Sequence, residues 1–128
     1  GKFANLITQF LWGMKKGERP VIYGDGKQTR DFVYAEDVAR ANLLAATGKV
    51  ASGEVINVGT GNPVPVNEAT KLLNKYLGTD LEPIYRPNPI TGYVYKHQAD
   101  TSKAKRLTGF KAQVKFTDGL KMLIKCYE

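Results

Sequence analysis

The sequence is poor in the residues that carry most metal, redox and disulfide chemistry, with one cysteine, Cys126, and one histidine, His97, among 128 residues. A lone cysteine makes no internal disulfide, and its place near the end of an apolar-striped helix suggests a bland position in a reducing, cytoplasmic compartment. His97 has neither a second histidine nor a cysteine pair to share a metal with, which argues against a metal centre. No apolar run approaches about 18 residues, so no membrane-spanning helix is expected. The first residues lack the charged region, apolar stretch and small-residue cleavage site of a secretory signal. The phosphate-cradling pattern G-x-x-G-x-x-G is also missing.

Charge is plentiful but dispersed. The net charge is +7, which alone suits nucleic acid, anionic membranes or phosphorylated ligands. The only tight basic groups are Lys15-Lys16 with Arg19 and Lys103 with Lys105-Arg106. Neither is interleaved with aromatics, and no nucleic-acid-binding motif is present, so solvated surface charge is the better reading and no nucleic-acid partner is expected. The length suits one domain with a genuine core, and the 42% hydrophobic and 24% charged content is ordinary for a globular domain.

The most informative stretch runs from Val21 to Ala39. Val21-Ile22-Tyr23 has strand character, Gly24-Asp25-Gly26 tolerates positive φ and reverses the chain, and Phe32-Val33-Tyr34 reads as a second short strand. Glu36 and Asp37 then place negative charge at the start of a helix, where the macrodipole favours it. Arg30 is thereby fixed on a strand edge beside a turn, presenting a fork of donors suited to phosphate or carboxylate.

Elsewhere the periodicity predicts helices. Phe3, Leu6, Ile7, Phe10, Leu11 and Met14 form an amphipathic stripe with Gly17 at its end. Val38, Ala41, Leu44 and Ala45 continue a small-residue helix to about Gly48, its alanines suggesting close approach to another element. A third helix carries Val66, Ala69, Leu72, Leu73 and Tyr76 between Pro65 and Gly78. A fourth is short, capped by Asp100 and stopped at Gly109. A fifth carries Leu120, Leu123, Ile124 and Tyr127, with Thr117 as its cap. Glu54–Gly59 reads as a compact apolar strand followed by a glycine turn that lacks phosphate-loop spacing. Leu81–Tyr85 reads as an edge strand between Pro83 and Pro87. The proline- and aromatic-rich loop 86–98 is where binding residues concentrate.

The run from Tyr23-Gly24-Asp25-Gly26 through Gln28-Thr29-Arg30-Asp31-Phe32-Val33-Tyr34 to Asp37-Val38-Ala39, together with Ala99-Asp100-Thr101-Ser102-Lys103-Ala104, resembles the carboxyl-terminal part of extended short-chain dehydrogenase/reductase nucleotide-sugar enzymes. These include UDP-glucose 4-epimerases, dTDP-glucose 4,6-dehydratases and ADP-glycero-manno-heptose 6-epimerases. The resemblance covers essentially the whole chain. It implies an α/β fold of about five helices with a small mixed sheet, residues 1–128 forming a single nucleotide-sugar-binding domain without the amino-terminal NAD-binding domain.

The resemblance also assigns roles. Arg30 corresponds to the arginine that contacts the nucleotide-sugar diphosphate, and Tyr23 with its strand neighbour Val21 lies where the base is held. The lead-in Lys2 to Asn5 resembles a ligand-touching loop of the heptose-epimerase branch, making Lys2 and Asn5 candidates. Tyr93 and His97 belong to the loop that covers the nucleotide. In many UDP-sugar members that loop carries a second phosphate arginine, whereas this chain has Ile90-Thr91-Gly92-Tyr93 there, with Arg86 or Lys96 as alternative charges. The family's catalytic base is a tyrosine with a lysine four residues later on one helical face. Tyr23 and Lys27 have that spacing but straddle the glycine turn, so no catalytic residue is assigned.

The implied partners are a UDP- or ADP-sugar and the missing NAD-binding lobe, with NAD bound in the intact enzyme and none by this chain alone. Apolar surface left by that lobe would favour self-association. The implied activity is epimerisation by transient oxidation and reduction of the sugar. The alternatives are a 4,6-dehydratase part and a non-catalytic binding module for acidic partners.

Overall fold

The computed structural model describes residues 5–48 and 53–127. In chain order the elements are α1 (Leu6–Lys15), β1 (Val21–Tyr23), β2 (Thr29–Arg30), α2 (Ala35–Thr47), β3 (Val64–Pro65), α3 (Val66–Leu77), β4 (Ile84–Arg86), α4 (Ser102–Thr108) and α5 (Phe116–Lys125). Strand pairing is mixed in direction. β1 runs parallel to β4 with Val21 opposite Ile84, and β2 runs antiparallel to β3 with Arg30 opposite Val64. A further parallel bridge joins Thr29 to Lys96.

The apolar stripes do what their spacing predicts. Ile7, Phe10, Leu11 and Met14 of α1 bury against Val66, Ala69 and Leu73 of α3, Leu120 and Ile124 of α5, and Ile22 of β1. Each large aliphatic side chain so removed from water contributes about 2 kcal/mol. Gly78 ends α3 in the left-handed region at φ 66°, where a side chain would be strained. A second, smaller cluster joins Ala41 of α2, Ala104 of α4 and Phe110, with Leu44, Ile56 and Val58 at its margin. The alanines of α2 therefore serve the close approach they suggest.

Several strand and cap expectations are corrected. Phe32-Val33-Tyr34 is not a strand: β2 is Thr29–Arg30, and Phe32 instead stacks on Phe116, ring centroids 5.0 Å apart. The apolar run fills a gap beside the core rather than joining a ladder. The 54–59 segment forms no strand and has no paired neighbour among the described residues. Ile56 and Val58 turn toward the second cluster while Val55 stays 79% exposed, the alternation of a strand without its sheet.

The edge strand begins at Ile84 rather than Leu81. Pro83 has no N–H to give, and the Leu81 N–H and C=O are both bonded to the Asn74 side chain at 2.9 and 3.1 Å. Thr117 lies inside α5, whose cap position is Lys115; the Lys115 carbonyl accepts from the N–H groups of Asp118 and Gly119. α4 is capped one residue later than expected, at Thr101, although Asp100 Oδ1 accepts from Ser102 N at 2.9 Å.

Apolar surface remains open on α2 and on the unpaired 54–58 segment, where Leu43 (62%) and Val55 are exposed. Concentration-dependent association in light scattering, with binding of a hydrophobic dye, is the expected behaviour, and a strict monomer that binds no dye would contradict it.

Candidate functional site

The turn after β1 is built from side-chain and backbone bonds of high specificity. Asp25 Oδ1 accepts from Lys27 N at 3.0 Å, closing an aspartate turn. Gly26 has φ 74°, and a Cβ there would stand 1.8 Å from Asn67 Oδ1, so only glycine fits. The carbonyls of Gly26 and Gln28 accept from the N–H groups of Asn67 and Val66 at 2.9 and 3.0 Å, taking donors that the first turn of α3 cannot satisfy itself. Gln28, 3% exposed, donates its Nε2 to the Tyr23 carbonyl at 2.8 Å. The turn is therefore a rigid mount for Arg30.

Arg30 is half-buried. Its Nη1 donates to the carbonyls of Thr29 (2.7 Å) and Val94 (3.0 Å), and its guanidinium lies over the ring of Tyr93, 4.9 Å from the centroid. No carboxylate pairs with it among the described residues. One nitrogen is committed to protein carbonyls and one face to an aromatic ring, so the guanidinium is held in a fixed orientation. Arg30 and Tyr93 are thus brought together, 63 positions apart in sequence.

The other candidates are placed as follows. Tyr23 and Val21 sit on β1, Tyr23 exposed and paired with Arg86, Val21 half-buried and paired with Ile84. His97 is exposed in the same loop as Tyr93, next to the Thr29–Lys96 bridge. Asn5 caps α1, its Oδ1 accepting from Thr8 N and Thr8 Oγ1 at 3.0 Å each. It lines a hollow of about 350 Å³ with Phe32, Tyr34, Val114, Phe116 and Leu120, and Arg30, Tyr23 and Tyr93 are not part of that lining. Lys2 lies outside the described residues.

Sequence reasoning missed the residues that hold the loop down. Asp31, directly after Arg30, accepts from Thr60 N (2.9 Å), Thr60 Oγ1, Gly61 N (2.9 Å) and Ala99 N (3.1 Å). Burial favours the neutral acid, but these four donors outweigh it and hold the carboxyl below the usual range. Gln98 Nε2 adds a bond to the Gly61 carbonyl at 2.7 Å. Tyr95 Oη donates to Asp25 at 2.7 Å, which lowers the aspartate and raises the phenol. An aspartate inside the motif, adjacent to the arginine, was the available signal for the first of these.

The glycine turn at 59–61 now has a defined job. Its Thr60 and Gly61 N–H groups, which could have cradled a phosphate, point to the Asp31 carboxylate. They are spoken for by an internal anion, so this turn does not fit a dinucleotide pyrophosphate.

Known proteins resemble this chain in both sequence and fold. Residues 1–59 match the model of the NAD dependent epimerase/dehydratase family. A putative UDP-glucose 4-epimerase of Methanocaldococcus jannaschii is 40% identical over 94% of this chain and 38% of its own length. By both matches the chain resembles the NAD-dependent epimerase/dehydratase family. A crystal structure of UDP-glucose 4-epimerase with UDP-glucose from Thermotoga maritima superposes at TM-score 0.89 and 40% identity, covering 97% of this chain and 39% of that one. UDP-glucuronic acid 4-epimerase from Bacillus cereus, in complex with UDP-glucuronic acid and NAD, superposes at TM-score 0.87 with 29% identity, covering 97% and 40%.

The chain thus spans about two fifths of the length of these family relatives. Its helices and mixed strand pairs are an epimerase-type α/β arrangement, as the sequence implied.

Proposed function

We propose that this chain supplies the nucleotide-sugar-binding part of an NAD-dependent nucleotide-sugar epimerase, with Arg30 as its grip on the diphosphate. The observation that carries the proposal is the state of Arg30: charged, half-buried, without a carboxylate partner among the described residues, and fixed by two carbonyls and the Tyr93 ring. A guanidinium so held gives up little rotamer freedom on meeting a diphosphate and offers charge-assisted bonds. Tyr23, exposed at the end of β1 beside the turn, offers a face for the base, and Tyr93 with the 93–98 loop, His97 included, closes the other side.

UDP is favoured over ADP because the similar structures carry UDP-sugars, and epimerisation over dehydration because those same proteins are epimerases. NAD supplies reversible oxidation of the sugar when bound. Since the 59–61 turn is closed by Asp31, we place its binding on the part of the family fold that this chain does not span, and give this chain the work of positioning. The exposed Leu43 and Val55 suit burial against that part. The working compartment is the cytoplasm.

Mapping by amide chemical shifts tests the site. Titration with UDP-glucose is expected to move the resonances of Tyr23, Thr29, Arg30 and residues 93–97 together. Shifts confined to the residues around the 350 Å³ hollow, or none at millimolar ligand, would contradict it.

A further inference from the structure

We propose that Asp25 and Tyr95 form a latch that fixes residues 93–96 against β2 and so positions Arg30; its bearing on binding rests on the nucleotide-sugar reading above. Tyr95 Oη lies 2.7 Å from Asp25 Oδ1 and 2.9 Å from Oδ2. The same Oδ1 accepts from Lys27 N, so one carboxylate joins the turn to the loop. Tyr95 is held at both ends, because its carbonyl accepts from Thr29 N at 2.9 Å. Its neighbour Val94 accepts from Arg30 Nη1, and Tyr93 lies under the guanidinium. Three consecutive loop residues thus embrace two consecutive residues of β2.

The other side of the latch is anchored as well. The Asp25 carbonyl accepts from Asn67 Nδ2 at 3.0 Å, and Asn67 belongs to the first turn of α3. Val94, Tyr95, Lys96 and His97 are exposed, so the order of this loop depends on its hydrogen bonds rather than on buried apolar area. Among these bonds the phenol–carboxylate pair is charge-assisted and joins two side chains. Without it Arg30 keeps its charge but loses the fixed carbonyl at Val94 and the ring at Tyr93. Asp25 and Tyr95 are positioning residues: they act on the ligand through Arg30.

Amide hydrogen exchange on the 128-residue chain reads the latch without ligand. Tyr95→Phe and Asp25→Ala are each expected to speed exchange at Thr29 about five- to tenfold. Asp25→Asn, which keeps an acceptor, should speed it less, and the double variant should add nothing further. Gly61 and Ala99, which donate to Asp31, should keep their rates. Unchanged Thr29 exchange in Tyr95→Phe overturns the latch, as does equal acceleration at Gly61 and Ala99, which marks general loosening. For UDP-glucose, Tyr95→Phe should raise the dissociation constant about fivefold with an unchanged melting temperature. An unchanged constant beside faster Thr29 exchange removes the positioning role. Wild-type chain that ignores UDP-glucose while Thr29 exchange accelerates as expected defeats the nucleotide-sugar reading and leaves the latch standing.

Discussion

Asp37→Ala is expected to destabilise the chain by about 3–5 kcal/mol, a large share of the stability of an ordinary domain. Asp37 is 1% exposed at the first turn of α2, and its carboxylate accepts from Gln113 N and Val114 N at 3.0 Å and from Arg40. Arg40 in turn donates to the Lys111 carbonyl at 2.8 Å and lies over Phe110. Removing the carboxylate leaves two backbone donors and a guanidinium without their acceptor. Asp37→Asn keeps one oxygen and should cost less. Chemical denaturation of the three proteins checks the order; equal midpoints for wild type and Asp37→Ala would refute it.

The same carboxylate carries an acid dependence. Burial pushes its pKa up from 3.8, but the N–H groups of Val114 and Gln113 and the Arg40 contact pull it lower overall. A folded-state pKa below the unfolded one means the contribution is fully present above about pH 4–5 and is lost as pH falls through the depressed value. Asp31, lowered by the Thr60, Ala99 and Gly61 donors despite its own burial, acts in the same direction. Acid unfolding below about pH 4 should therefore be shallower in Asp37→Asn than in wild type.

Gly59→Ala is the second large effect, expected to cost about 3 kcal/mol and to lower the melting temperature by about 10 °C. The cause is space, since the φ of Gly59 is not in the left-handed region. A Cβ at this position would stand 2.5 Å from Ala99 Cβ and 2.9 Å from Asp31 Oδ2. Backbone and carboxylate would have to separate, breaking the contacts by which Asp31 gathers the 59–61 turn and the segment at Ala99 that leads into α4. Gly53→Ala is a control on one count only: no atom lies within 4 Å of a Cβ there, although its φ of 85° adds backbone strain. Calorimetry that shows Gly59→Ala melting with wild type would contradict the tight approach.

These two sites show what the sequence could and could not reveal. The stripes of α1, α3 and α5 were legible because a 3.6-residue period is local, and so was Gly78, which stands where a helix needs a left-handed residue. The 54–59 strand was misread because a strand is defined by its partner, and none is present among the described residues; alternation alone survives in Ile56, Val58 and exposed Val55. The start of β4 depended on Asn74, which takes both backbone groups of Leu81 from within a different helix. Phe32 looked like a strand residue and became a packing residue because Phe116, 84 positions later, offered a ring.

The candidate site divides in the same way. Arg30 stood out through its motif, but what holds it came from Val94 and Tyr93, far along the chain. Asp25, Asp31 and Tyr95 gave little sign in the sequence, because a carboxylate in a turn is usually solvated and only folding brings its donors to it. Side chains that position a binding residue are harder to read from a sequence than the binding residue itself, since their partners are all non-local.

The most direct measurement is the affinity of the folded chain for UDP-glucose with arginine, lysine or alanine at position 30, each variant first shown to melt with wild type. Loss of the guanidinium in Arg30→Ala should weaken binding about ten- to hundredfold, and Arg30→Lys should fall between, keeping the charge without the planar fork. Equal affinity for wild type and Arg30→Ala would contradict a diphosphate grip at this arginine.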